Sequence, residues 1–338
     1  MTAPMPAASG VPAGYHVAFR RLDLATGEYA GCAPAGGGLG IAVPQGTFEY
    51  GGRGYEYATW IAPPGVLPFT FTELVASWAA DTPAGTWIEV CVRARPHGSR
   101  AYGRWYVMAR WAADASEIEP TSVPHQSDPV GYVDVDTFRA HTGRACDVWQ
   151  LRVTLLRPVG TTATPILRYA GAVVSAPTPV PTRTSAPGPR AGRLLTMPWG
   201  GTSPLGAVLG YWGVAASVNG VGRYADAAAR HTDGRTANRS FAVAYAAGFG
   251  LRAFVTRLRD LTEAELFLAA GIPLVLELAD RRPVALAGLT ADGGALVDGA
   301  THPRHRLELA WLAGSGGLVL AVHPPAAPLP PRPAEPNW

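Results

Sequence analysis

Lysine is absent from this chain. All 28 basic residues are arginine, set against 25 acidic ones for a formal net charge of +3. Together with 40 glycines and 32 prolines, this bias follows GC-rich codons and points to a GC-rich bacterial genome. No basic run or aromatic-basic ribbon is present, so no nucleic-acid partner is expected. Cysteine is scarce: Cys32, Cys91 and Cys146 have no metal-ligand spacing, cannot all pair, and all precede residue 150. No metal or other cofactor is expected. Long apolar runs are missing as well, the longest (such as Gly271 to Leu278) falling far short of the ~20 residues of a membrane-spanning helix. Arg20-Arg21 is followed by no apolar run, so neither a secretory nor a twin-arginine signal is legible as written, and cytoplasmic is the default expectation.

What is present describes a globular protein. At 338 residues and 48% hydrophobic content, the chain is long enough for two domains with separate cores. Residues 1–40 are rich in Gly, Ala and Pro and read as an irregular arm. Residues 41–176 alternate. In Thr86 to Arg95, Ile88, Val90, Val92 and Ala94 point one way while Glu89, Arg93 and Arg95 point the other, the period of a half-buried strand. Gln150 to Leu155 repeats the pattern, and Tyr55 to Ile61, Phe69 to Trp78, Arg104 to Trp111, Tyr132 to Thr137 and Ile166 to Val174 are further strands between turn-rich segments. Six to eight such strands without a helix predict an antiparallel β-sandwich. Residues 177–192, PTPVPTRTSAPGPRAG, are too proline-dense for helix or strand and read as a linker. Over 193–323 the pattern is helical at Pro204 to Trp212, Tyr224 to Arg230, Ser240 to Gly248 and Thr262 to Ala270, the last with a Thr262/Glu265 capping box. Strands follow at Pro273 to Glu277, Val284 to Leu289, Gly294 to Val297 and Gly317 to Val322, so this part is α+β with segregated layers. Residues 324–338 form a Pro-rich tail.

The stretch Trp199 to Gly213, WGGTSPLGAVLGYWG, reads as a buried helix whose N-terminus opens onto a cleft. It resembles the nucleophile helix of the papain-fold bacterial cysteine peptidases of peptidase family thirty-nine, W-C-S-P-T-S-x-x-M-V-L-x-Y-x-G, keeping Trp199, Val208, Leu209, Tyr211 and Gly213. Ala237 to Ala247, Leu251 to Arg259, Ala269 to Pro273, Gly288 to Gly293 and Trp311 to Gly317 continue the resemblance. Phe71 to Trp78, Pro83 to Val90 and Ser122 to Asp128 extend it to the subgroup in which a β-sandwich precedes the peptidase-like domain. The resemblance implies two domains, an N-terminal all-β antiparallel sandwich and a C-terminal α+β papain-like domain. Relatives of this architecture look secreted.

The departures carry the functional expectation. A papain-type site needs a thiolate, an imidazole that activates it and an Asn or Asp that orients the imidazole. The resemblance places Gly200 on the cysteine and Arg282 on the histidine, and leaves only Asp298 as an orienting side chain. The oxyanion glutamine is missing from the shortened run Leu194 to Pro198. The expected function is therefore that of a pseudopeptidase, a binding or scaffold protein whose remnant cleft takes a peptide or peptide-like ligand through Trp199, Ser203, Tyr245, Arg282 and Asp298. One alternative is a hydrolase rebuilt on Ser203 or Ser240 with His231 and Asp298. Ser203 followed by Pro204 is, however, the residue pair of an ordinary helix start. Another alternative is carbohydrate or protein binding at the loop ends of the sandwich. His302 and His305 read as a solvated loop around Pro303, and Tyr211, Trp212 and Tyr245 as core aromatics or a groove lining. Oligomeric state is not legible.

Overall fold

The structure is a computed structural model that describes residues 14–114, 118–178, 195, 203–214, 238–259, 261–277, 283–289, 295–299, 302–307 and 316–331. The strands before residue 179 are β1 (Gly14–Arg21), β2 (Glu28–Ala30), β3 (Cys32–Ala35), β4 (Gly38–Ile41), β5 (Gly46–Tyr50), β6 (Arg53–Ile61) and β7 (Gly65–Phe71). They continue with β8 (Glu73–Asp81), β9 (Trp87–Pro96), β10 (Tyr106–Trp111), β11 (Gly131–Asp134), β12 (Thr137–Ala140), β13 (Cys146–Pro158) and β14 (Ile166–Thr178). They form two seven-stranded antiparallel sheets. One, here the inner sheet, runs β11-β12-β8-β14-β4-β3 with β1 also on β14. The outer sheet runs β10-β9-β13-β6-β2, with β5 on β6 and β7 on β13.

Several expectations are corrected at this level. Residues 14–41 are not an irregular arm but four strands, β1 pairing with β14 along its whole length from Gly14↔Thr178 to Arg21↔Gly171. Phe69 to Trp78 is two strands broken at Thr72, and Tyr132 to Thr137 is a hairpin whose turn separates β11 from β12. The proline run begins inside β14, which extends to Thr178; the rest of 177–192 lies outside the described residues.

The two sheets differ in what covers them. In the outer sheet, Ile88, Val90 and Val92 of β9 are buried in the sandwich while Glu89 and Arg93 are only half-buried, as the alternation requires. In the inner sheet both faces are covered. Leu74, Ala76 and Trp78 of β8 point into the sandwich, while Val75, with Val17, Phe19 and Val173, joins the core of the C-terminal part. Strands buried on both faces read as near-continuous apolar runs, as in ELVASWAA.

That C-terminal part contains a six-stranded antiparallel sheet ordered β15-β20-β16-β17-β18-β19. Its strands are β15 (Arg252–Arg257), β16 (Leu274–Glu277), β17 (Pro283–Leu289), β18 (Ala295–Gly299), β19 (His302–Leu307) and β20 (Leu318–His323). The described helices are α1 (Pro204–Tyr211), α2 (Arg239–Ala247) and α3 (Leu261–Ala269). β15 falls between α2 and α3, so helices and strands are less segregated than expected. Helix α3 begins one residue before Thr262, and its first turn is closed by Glu263, which accepts from the backbone N–H (2.8 Å) and the Nε (2.6 Å) of Arg259. His302 and His305 lie in β19, an edge strand and not a loop; an edge is where Pro303 costs no ladder hydrogen bond. The expected helix over Tyr224 to Arg230 lies outside the described residues.

Helix α2 joins the two parts. β12 pairs with β8 only as far as Val75, and beyond that point α2 takes the place of the next strand. The Ser240 hydroxyl donates to Ala76 O at 2.7 Å, occupying an acceptor that a strand would otherwise use. Phe241 enters the sandwich core, edge-on to Trp78 of the inner sheet (6.3 Å) and tilted against Trp111 of the outer sheet (5.6 Å). Just before it, Arg239 binds Asp136 through its backbone N–H (2.7 Å), Nε (3.1 Å) and Nη2 (2.7 Å), and reaches Glu277 through Nη1 at 3.0 Å. Burial works against the Arg239 charge, but Asp136 and Glu277 outweigh it and raise its pKa. Asp136 itself follows Val135, a β-branched residue at φ 57°, a strained conformation held by the β11–β12 turn.

Two expectations follow. Phe241→Ala should remove about 3–5 kcal/mol of unfolding free energy, the usual cost of emptying a fully buried aromatic site, as read by urea denaturation. The second concerns His323, buried against Phe254 with Nδ1 donating to Pro324 O at 2.8 Å. Burial lowers its pKa from the ordinary 6.5, Arg252 opposite it lowers it further, and the Pro324 hydrogen bond only partly opposes both. The folded chain thus binds fewer protons than the unfolded one, so stability is full above ~6.5 and falls as pH drops from there through the lowered folded value. Denaturation midpoints at successive pH values below neutral should show this loss, and His323→Gln should flatten it.

Candidate functional site

The residues singled out around the expected cleft distribute as follows. Ser203 is the N-cap of α1: its Oγ accepts from Gly206 N–H at 3.0 Å, and Pro204 opens the first turn. Helix α1 buries Ala207, Val208 and Leu209 against the sheet that includes β16 and β17. Its far end is pinned by Trp212, whose indole N–H donates to Val322 O of β20 at 2.9 Å while Tyr211 packs edge-on at 4.7 Å. These aromatics are packing residues of the C-terminal core. Upstream, Leu195 is buried and its N–H donates to Ala287 O of β17. Trp199, Gly200, Arg282 and His231 lie outside the described residues. At β17, Leu195 and α1 pack on the strand, Pro283 begins it, and Asp298 of β18 is in register with Ala285.

Tyr245 does not line a described cleft. It packs against both hydrophobic cores at the seam between the parts and lies edge-on to Phe249 at 5.1 Å, and burial raises its pKa. Ser240 is fully buried with its hydroxyl spent on Ala76 O, so it has no freedom to act as a nucleophile. The Ser122 to Asp128 segment is also structural. Gln126 pairs with Val107 through both its oxygen and its nitrogen (2.7 Å each), and Asp128 accepts from the N–H groups of Arg104, Val130 and Gly131 and from the Tyr106 hydroxyl. Among the described residues no group of three His, Cys, Asp or Glu side chains could hold a metal ion, and no helix is long and apolar enough to cross a membrane.

A feature the sequence reading missed lies on the outer sheet. A cleft of about 540 Å³ crosses β9, β13 and β6 and is walled by β2 and β5, on the face of the sheet and not at its loop ends. Its outward side chains were partly legible from the alternation at Glu89, but the cleft depends on which strands are neighbours, which the alternation does not give. A second cleft of about 560 Å³ lies at Arg21, Asp23 and Arg168, where the Arg168 guanidinium is already paired with Asp81.

Residues 15–175 match the family model described as Peptidase C39 N-terminal domain. The match begins in β1 and ends in β14, so it spans the whole sandwich, including the segment expected to be an arm. It supports a peptidase C39-related family. No curated protein and no solved structure matches the chain significantly.

The three thiols of the chain, Cys32, Cys91 and Cys146, all lie in the sandwich. Cys32 sits in β3, Cys91 in β9 and Cys146 in β13, the last two fully buried. Burial pushes all three up to about 12; at Cys91 the nearby Glu89 adds to this while Arg152 opposes it. Such thiols stay protonated at neutral pH and are poor nucleophiles. Iodoacetamide should therefore modify the folded protein far more slowly than the urea-unfolded protein. Raising the pH through the ordinary thiol range of ~8–9 should not close the gap, as mass spectrometry of the alkylated chain would show.

Proposed function

We propose that this protein is a non-catalytic member of the peptidase C39-related group, a binding or scaffold protein built from a β-sandwich and a papain-like unit whose site has lost its nucleophile and base. The observation that carries the reading is the pairing of a peptidase C39 N-terminal sandwich with glycine at position 200, where the family's helix presents cysteine. The described neighbours of positions 200, 282 and 298 gather at β17, which suits a site of papain type with Gly200, Arg282 and Asp298 in the three triad places. With a hydrogen in place of sulfur and a guanidinium in place of imidazole, nothing there forms an acyl-enzyme. Arg282 and Asp298 instead carry opposite charges, of the kind that meet the polar groups of a peptide. The neighbouring hydroxyls give no substitute, Ser203 being used as a helix cap and Ser240 sealed in the interface.

The purified protein should hydrolyse no peptide substrate above background, with or without reductant. Turnover that survives cysteine alkylation and stops on Ser203→Ala would overturn the reading in favour of a rebuilt serine site.

A further inference from the structure

We propose that the cleft on the outer sheet is a saccharide-binding site that takes a short, uncharged oligosaccharide lying across the strands. This does not rest on the loss of the peptidase site, which lies in the other part of the chain.

The strand register explains the trough. Reading across the sheet, Glu89, Thr154, Thr59 and Ala30 occupy one row of facing positions on β9, β13, β6 and β2. The row on one side is Trp87, Leu156, Tyr57 and Gly46; the row on the other is Cys91, Arg152, Ile61 and Glu28. The small side chains of Thr154, Thr59 and Ala30, flanked by Leu156 and Tyr57 on one side and Arg152 and Ile61 on the other and closed at one end by Glu89, leave a channel perpendicular to the strands, about 10 Å long at the usual spacing of three adjacent strands. Gly46 contributes by its lack of a side chain: a Cβ there would lie 3.2 Å from the Tyr57 ring, which occupies that space. Phe48, on the same short strand, stands over the buried Trp87 at a ring distance of 6.3 Å.

The chemistry of this channel suits sugar hydroxyls and C–H faces. Tyr29 and Phe48 are each 40% exposed at its wall, unusual for large aromatic side chains, and with Tyr57 they offer flat apolar surfaces for pyranose rings. The side chains of Glu28, Gln45, Tyr57, Thr59 and Thr154 make no hydrogen bond or ion pair with any described residue, so their donors and acceptors are free for a ligand. Glu89 is neutralised by Arg110, with Nε to Oε2 at 3.1 Å. Arg152, held on the Trp105 ring at 4.8 Å, has no carboxylate partner among the described residues and is balanced across the cleft only by Glu28, so the lining carries no net charge. A peptide strand is a poorer fit. β13 and β6 form the floor with hydrogen-bonded neighbours on both sides, leaving no backbone ladder there to extend.

The test is calorimetric titration of the full-length protein with soluble hexasaccharides: β-1,4-linked glucose, β-1,4-linked N-acetylglucosamine, β-1,4-linked xylose, and a galacturonate hexamer as the acidic arm. Saturable binding of at least one neutral hexamer is expected, with the galacturonate hexamer weaker. Tyr57→Ala and Phe48→Ala should each weaken that binding by about tenfold, the effect of losing one good contact. The double substitution Thr59→Val/Thr154→Val keeps shape and folding while removing two hydroxyls, and should weaken it by a similar factor. Circular dichroism identical to that of the parent establishes that the variants are folded. The proposal is overturned by absence of saturable binding to every neutral hexamer at millimolar concentration, by preferential binding of the galacturonate hexamer, or by binding that the Thr59→Val/Thr154→Val protein retains in full.

Discussion

The insertion of α2 beside β8 is the contact on which the rest of the molecule depends. A sheet edge left open exposes unpaired backbone groups, and β12 is too short to cover β8 beyond Val75. The helix resolves this with one hydroxyl on Ala76 O and one ring, Phe241, between tryptophans from both sheets. A residue from the C-terminal part thereby sits in the sandwich core, while Val17, Phe19, Val75 and Val173 of the sandwich sit in the C-terminal core. The charged seam follows from the same geometry. Arg239 and the 2%-exposed Arg257 are buried guanidinium groups, tolerable only because Asp136 and Glu73 meet them across the interface, Glu277 adds a carboxylate to Arg239 from its own side and Tyr15 stacks on Arg257 at 4.1 Å. Removing either partner would leave a buried charge uncompensated, so the seam specifies one docking geometry as well as holding it.

Covering the inner sheet on both faces has a consequence for the outer one. With β15 against the inner sheet through the Val255 N–H to Ser77 Oγ hydrogen bond, the outer sheet keeps its far face outward, and one of the two clefts described above crosses it. Its partly exposed side chains form a cationic and aromatic surface, Arg93 lying between Tyr102 (4.3 Å) and Trp105 (4.4 Å) and Arg110 over Tyr50 (4.8 Å). Guanidinium groups stacked in this way are held still, and a rigid surface loses less entropy when something binds to it.

How much of this was legible in the sequence depends on the kind of information each feature needs. The half-buried strands β6, β9 and β13 announce themselves by alternation, and the helix ends at Ser203 and Gly248 by their capping residues. Of the four strands in 14–41, β2, β3 and β4 are three or four residues long, too short for alternation to show, and β1 is held by β14, more than a hundred residues away. The apolar runs of β8 and β14 do carry a signal, that both faces are buried, but not what buries them. The triad places proposed at 200, 282 and 298 rest on resemblance alone, since nothing local distinguishes Arg282 from Arg281. The cleft needs four strands in register, and its middle residues, Thr59 and Thr154, are unremarkable in each strand taken singly.

The same dependence bears on the proposal that the C-terminal part is a papain-like unit without its chemistry. A nucleophilic cysteine at a helix N-terminus contributes to catalysis and little to folding, and the capping of α1 relies on Ser203 and Pro204, three and four positions after Gly200. A glycine at 200 therefore takes nothing from the cap of α1, its packing on β16 and β17 or the Trp212 anchor on β20. Losing α2 would instead open the β8 edge, empty the space between Trp78 and Trp111 and strand Asp136 without its arginine. Stability thus constrains the C-terminal part where it meets the sandwich. On the proposed reading, the substitutions at 200 and 282 fall where the fold tolerates change, and the residues that fold the interface are the ones still in place.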